Sequence, residues 1–323
     1  MLNRRTTLGF GLAAPFIARG VQAQSDWPTR PVRLVSPFSA GGGGDSSLRP
    51  LAAKMTELLG QNVLVENRTG GNAVVAATSV LNAPRDGYSY IVDAANQITN
   101  PLLLRDLPFD YSTSFVPVTM TARFPQVLAV RHDFPAQTFQ EFIEYVRARP
   151  GQVSCGTPPA AGGGHLAMAL LEQRAGIRFI HAPYRGGADA ARDIAGGQID
   201  AMIATSSSGR GPIEARRARA LAMTGAQRIA AYPGTPTIAE SGFPGFDMDD
   251  WNGMFAAAGA PAAIIPRMQA AVAAAARDEG VLARMAPLGT VMVGNSTEEF
   301  TAWLARQREV VTQVIRTANI TLG

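Results

Sequence analysis

Three loops rich in glycine and small polar residues carry the side chains and amides best suited to hold a small molecule. The first is Pro37-Phe38-Ser39-Ala40-Gly41-Gly42-Gly43-Gly44-Asp45, between an apolar run and an amphipathic one. Successive glycines let backbone N–H groups approach an anion closely, and a helix beginning there adds partial positive charge. The loop lacks the spaced glycines of a dinucleotide fingerprint, and no Gly-Lys-Ser/Thr follows, which excludes a P-loop. On its own it reads equally well as a flexible turn. The second loop runs from Gly156 through Thr157, Pro158, Pro159, Ala160, Ala161, Gly162, Gly163 and Gly164 to His165. His165 falls in the first turn of the next helical pattern, where capping or core packing explains it as well as ligand contact does. The third is His181-Ala182-Pro183-Tyr184-Arg185-Gly186-Gly187-Ala188-Asp189, in which Tyr184 offers a stacking face and Arg185 a bidentate partner for a carboxylate.

Nothing in the sequence assembles a catalytic set. There is no Gly-x-Ser-x-Gly, no His-Glu-x-x-His and no Cys/His cluster. Ser206-Ser207-Ser208 has no base nearby and reads as a polar turn. Asp247, Asp249 and Asp250 cluster, but their spacing reads as a loop before a strand at Trp251. His132, His165 and His181 lie far apart with no partner at metal-ligand spacing, so neither metal nor cofactor is expected. Cys155, the single cysteine, cannot form an intramolecular disulfide and reads as a buried residue within a strand.

The elements that position these loops alternate short apolar runs with helical stripes, as βαβ units do. Val32 to Phe38 is an apolar run. A helix follows with Leu48, Leu51, Ala52, Met55, Leu58 and Leu59 on one face, capped by Asp45 or Ser46 and ended by Gly60. Val63–Glu66 and Tyr88–Ala94 read as strands. In the middle, Val127–Val130 is a strand, and Thr138 with Glu141 forms a capping box for a helix striped by Phe139, Phe142, Ile143 and Val146. Strands near Val153, Phe179, Ala201 and Leu221 alternate with helices beginning near Gly164, Gly187 and Gly211. Pro261 opens a later helix, and Ser296 with Glu299 caps the last, whose face is Phe300, Trp303, Leu304, Val311 and Val314. Some ten strands exceed what one core comfortably supports, which favours two α/β lobes without placing their boundary.

The sequence of 323 residues has a pI near 9.6, but the charge is unevenly placed. Three of the 29 basic residues lie in the first 23 positions, which carry no acid; the remainder holds 26 basic against 25 acidic residues. A nucleic-acid partner is therefore not implied. Residues 1–23 read as an export signal: Arg4-Arg5, an apolar stretch from Leu8 to Ile17, and Val21-Gln22-Ala23 as the cleavage site. The paired arginines fit twin-arginine export, and a general secretory signal fits nearly as well. That apolar stretch is shorter than the ~20 residues a spanning helix needs, and no cysteine nearby offers a lipid anchor.

In order along the chain, the motifs resemble the Bug or TctC family of periplasmic substrate-binding components of tripartite tricarboxylate transporters. The resemblance rests on Trp27-Pro28-Thr29-Arg30-Pro31, Pro37-Phe38 leading to glycines and Asp45, Glu66-Asn67-Arg68 and Asp86-Gly87-Tyr88. It continues through Asn100-Pro101-Leu102, Gly164-His165-Leu166, His181-Ala182-Pro183-Tyr184-Arg185-Gly186, Gly196-Gly197-Gln198 and Pro236-Thr237-Ile238-Ala239-Glu240-Ser241-Gly242. It implies an α/β, two-lobed type II periplasmic-binding (Venus flytrap) fold, with a mixed, mostly parallel sheet in each lobe. Lobe 1 would comprise residues 24–123 and 228–323, and lobe 2 residues 124–227. It further implies a monomeric, periplasmic carboxylate receptor, not an enzyme, that presents its ligand to membrane permease subunits. The ligand would meet Phe38, Ser39, Gly41, Gly42, Gly43 and Asp45 on one lobe. Thr157, Ala161, Gly162, His165, Tyr184, Arg185 and Thr205 would face it from the other. The second loop departs from the family's serine-rich pattern, and Ala204-Thr205 stands where many members carry Asp-Asn, so the lobe 2 wall is less polar. A secreted hydrolase or transferase using the same cleft is the competing reading, and the missing nucleophile–base pair weighs against it.

Overall fold

The computed structural model describes residues 27–41, 43–158, 161–184 and 186–321. The export signal, Gly42 and Arg185 fall outside the described residues. The first half builds β1 (Val32–Ser36), α1 (Gly43–Leu59), β2 (Val63–Asn67), α2 (Val74–Leu81), β3 (Ser89–Asp93), α3 (Asn96–Leu103), α4 (Tyr111–Ser114) and β4 (Phe115–Phe124). The chain then runs through Pro125 into β5 (Gln126–Arg131), α5 (Phe139–Arg147), β6 (Val153–Thr157), α6 (Gly163–Ala175) and β7 (Phe179–Pro183). There follow α7 (Gly187–Ala195), β8 (Ala201–Thr205), α8 (Ser206–Glu214) and β9 (Ala218–Met223). The last part holds β10 (Asp250–Ala257), α9 (Ile264–Ala276), α10 (Glu279–Met285), β11 (Val291–Met292) and α11 (Thr297–Ala318).

Among the described residues the strands form two mixed sheets, in the orders β11-β4-β10-β3-β1-β2 and β7-β6-β8-β5-β9. In each, three strands followed by helices pair in parallel, and the strands that carry the chain between sheets run antiparallel. The parallel set needs crossover helices, which bury it on both faces. Leu34, Tyr90 and Val92 are accordingly closed from solvent beneath α1 and α9, with Leu48, Leu51, Met55 and Met268. Each of the aliphatic and methionine side chains among them contributes about 1.5–3 kcal/mol by leaving water.

Several elements differ from the sequence reading. Leu58, assigned to the buried face of α1, is 47% exposed, because the stripe ends one turn before Gly60 closes the helix. The helix expected near Gly211 begins at Ser206, so Ser206, Ser207 and Ser208 are its first turn rather than a polar loop. The helix after Pro261 starts at Ile264, whose amide bonds the Pro261 carbonyl at 3.0 Å. The capping boxes at Thr138 and Ser296 form as expected.

The chain crosses between the sheets at Phe124–Gln126 and returns after Met223. Residues 224–249 first line the second sheet: Met223 bonds Pro236 and Ile238, and Thr224 receives the amide of Met248 at 3.0 Å. α11 then packs on both α3 and α6, so the C-terminal helix touches elements of both sheets.

Candidate functional site

Strand register locates the cleft. At the crossing, Gln126 pairs with Thr205, the last residue of β8, while Phe124 pairs with Asp250 and Gly253 with Asp93, the last residue of β3. The carboxyl ends of both parallel sets therefore meet at the same hinge. Helices α1, α2 and α3 begin there from one sheet and α6, α7 and α8 from the other. Ligands of open α/β sheets sit at such strand ends, where helix amides point outward.

On the first sheet the loop from Phe38 to Asp45 is tied from within. Asp45, 1% exposed, accepts the Gly41 amide at 2.9 Å, Arg49 Nε at 2.7 Å and Asn67 Nδ2 at 2.7 Å. Burial pushes its carboxyl up, but the bonds from Arg49, Gly41 and Asn67 outweigh this and hold it below the usual range. The expectation that Asp45 is the helix N-cap needs correction. α1 begins at Gly43, and Asp45 lies inside its first turn, reaching back to the loop as an N3 carboxylate does in a capping box. Gly41 adopts φ +77°, open to glycine at no cost, and Gly43 has no atom within 4 Å of a would-be Cβ. The ring of Phe38 lies over Gly44, and Ser39 is exposed.

On the second sheet the predicted residues are also brought to one edge, but largely committed to each other. Thr157 is fully buried, and its hydroxyl pairs with His181 Nε2 at 2.7 Å. His181 stacks on His165, ring centroids 4.1 Å apart, and His165 Nδ1 accepts the Ala161 amide at 3.1 Å. His165 thus clasps the loop, holding Ala161 at φ +56° before Gly162 caps α6. Burial, then His181, lowers the His165 imidazole to about 4, so it stays the neutral acceptor. Tyr184 donates its backbone amide to Thr157 O and its hydroxyl to Asp193 at 3.0 Å. Thr205 Oγ1 lies 2.8 Å from Ser208 Oγ, which packs on Gly187. His165, His181, Glu172 and Asn319 also line a cavity of about 410 Å³ that runs from Pro183, the last residue of β7, to the end of α11.

Sequence reasoning missed three residues of this region. Asp93, fully buried, accepts Ala94 N, Asn96 and Gln97; burial raises its carboxyl to about 6 against those bonds. Gln126 is fully buried at the crossing. Asp250, dismissed as part of an acidic loop, opens β10 and accepts the Gly163 amide at 2.8 Å. It keeps some contact with solvent, yet protein atoms crowd it, raising its carboxyl to about 6 against the Gly163 amide and the Gln126 carboxamide. Asp93 closes a strand as a polar residue after an apolar run, a signal that was legible. The other two depend on which strands cross between sheets.

The family profile described as the tripartite tricarboxylate transporter family receptor, TctC, matches residues 48–320. The chain belongs to this family. Its members are periplasmic solute-binding proteins, and the receptor's structural neighbours are likewise binding proteins. The receptor is 33% identical over 297 residues to a UPF0065 protein in the tcbD-tcbE intergenic region of Pseudomonas sp. strain P51, covering 92% of this chain and 88% of the relative. It is similar to Rpa4515 of R. palustris, solved with adipate: TM-score 0.77, 32% identity, 92% and 99% of the two chains covered. It is also similar to MatC of Rhodopseudomonas palustris, solved with bound malate: TM-score 0.70, 27% identity, 88% and 100% covered. The two-lobed α/β fold expected from the sequence is thus the fold of its relatives.

Proposed function

We propose that this receptor captures a small carboxylate in the cleft between its lobes and hands it, chemically unchanged, to the permease of a tripartite tricarboxylate transporter. The observation carrying this reading is the meeting of both sets of parallel strand ends at the Phe124–Gln126 crossing, with helix amides on each side. One carboxylate end rests on the loop Ser39–Asp45, where Gly43 leaves open space, and the ligand's body is closed in by the second loop. Adipate and malate on structural neighbours support the ligand class. The lobes divide at 123/124 and 227/228 in this reading, with residues 228–249 as a strap along β9. Export by the signal in residues 1–23 delivers the chain to the periplasm, with a mature start within a residue or two of Gln24.

Thermal melting against a carboxylate library tests the proposal. A captured ligand present at 100 times its Kd adds about 2.7 kcal/mol of stability by mass action, and mass balance recovers it intact. Consumption of the carboxylate, or no stabilisation by any, contradicts it.

A further inference from the structure

The N-terminus of α6, one of the three helix starts that face the cleft from the second sheet, already holds an anion belonging to the protein. Gly163 is the first residue of α6 and Asp250 the first of β10, so their 2.8 Å hydrogen bond joins the two sheets across the crossing. The site is shaped for it. A Cβ on Gly163 would collide with Asp250 Oδ1 and with Gln126 Nε2 at 2.5 Å, so only glycine admits the carboxylate. Two further donors on this wall are taken, the Ala161 amide by His165 and the Thr157 hydroxyl by His181. The nearby cation is committed elsewhere, since Arg123 pairs with Asp247 and, at 3.1 Å, with Asp249. Asp249 itself is buried against Gln126 N and Thr224.

Resting on the proposed carboxylate capture, we infer that Asp250 is a specificity-determining residue. It sets a fixed negative charge beside the second loop, so a ligand anchored by its carboxylate on the Ser39–Asp45 loop meets this wall with a hydrogen-bond donor. A hydroxyl or ammonium group satisfies Asp250, whereas a second carboxylate repels it. The preferred ligands are hydroxy or amino monocarboxylates rather than dicarboxylates.

Titration calorimetry at pH 7.5 with matched acids tests this. The set is succinate, 4-hydroxybutyrate and 4-aminobutyrate, the six-carbon analogues adipate, 6-hydroxyhexanoate and 6-aminohexanoate, and terephthalate with 4-hydroxybenzoate and 4-(aminomethyl)benzoate. On the skeleton that binds, the hydroxy or amino acid is expected to bind at least tenfold tighter than the dicarboxylate. Asp250→Asn, which keeps an acceptor for Gly163, is expected to cut that ratio at least tenfold. A dicarboxylate bound as tightly as its partners by the wild type, or a ratio unmoved in Asp250→Asn, overturns the inference and leaves carboxylate capture standing. Should Asp250→Asn fail to fold, the wild-type ratio decides alone. If the wild type binds no acid of any kind, carboxylate capture itself falls, and the inference with it.

Discussion

The carboxylate of Asp45 and the amide of Gly41 are joined at 2.9 Å, across the one turn of chain that forms the proposed anion cradle. The same carboxylate holds Arg49 and Asn67, so it fixes the loop to both α1 and β2. Asp45→Ala should lower the stability of the ligand-free protein by about 2 kcal/mol, as expected when charge-assisted hydrogen bonds are lost. Because the folded carboxyl lies below its unfolded value, near 4, this contribution is complete above that value and fades as pH falls through the folded one. In urea melts the stability gap between wild type and variant should be smaller at pH 3 than at pH 7; an undiminished gap would show that the charge of Asp45 is not what holds the loop.

His165 gives a pH dependence of known sign. Its imidazole titrates near 4 when folded and about 6.5 when unfolded, so the unfolded chain binds the extra proton between these values. Stability from this clasp is complete above pH 6.5 and declines as pH drops toward 4. The raised carboxyls of Asp93, Asp249 and Asp250 act oppositely over nearly the same range, so a single stability curve hides the effect. The difference between wild type and His165→Gln isolates it and should shrink by about 2 kcal/mol from pH 7.5 to pH 4.5. A constant difference would mean that the ring serves only as packing against His181.

Glycines at the two helix starts should respond differently. A methyl on Gly164 would lie 2.5 Å from the Ile203 carbonyl, a backbone atom that cannot yield, so Gly164→Ala should cost about 2 kcal/mol. Gly43 faces open space, and Gly43→Leu should leave the melting temperature within a few degrees while filling the cradle and abolishing carboxylate binding. Normal binding by Gly43→Leu would move the site away from the first loop.

Local order was legible because it depends on nearby residues. The Thr138–Glu141 and Ser296–Glu299 boxes, the stripe of α5 and the buried Cys155 all follow from spacing and composition. The three glycine-rich loops could be picked out for the same reason. What could not be read was how each loop spends its donors. That Thr157 bonds His181, that Ala161 bonds His165 and that Gly163 bonds Asp250 depend on strand order and on a contact between residues 87 positions apart. Asp45 was misplaced by three positions because a cap and an N3 carboxylate look alike in sequence. A short polar run such as Ser206–Ser208 likewise carries no local sign that it starts a helix.

The most direct test of the central claim is a crystal structure of the receptor with its tightest-binding carboxylate. Capture in the inter-lobe cleft predicts carboxylate oxygens within hydrogen-bonding distance of amides in the Ser39–Asp45 loop, with the ligand's far end against Ala161, Gly162 and Asp250. A ligand seated instead in the cavity between His165 and Asn319, or one whose carboxylate touches neither loop, would contradict it.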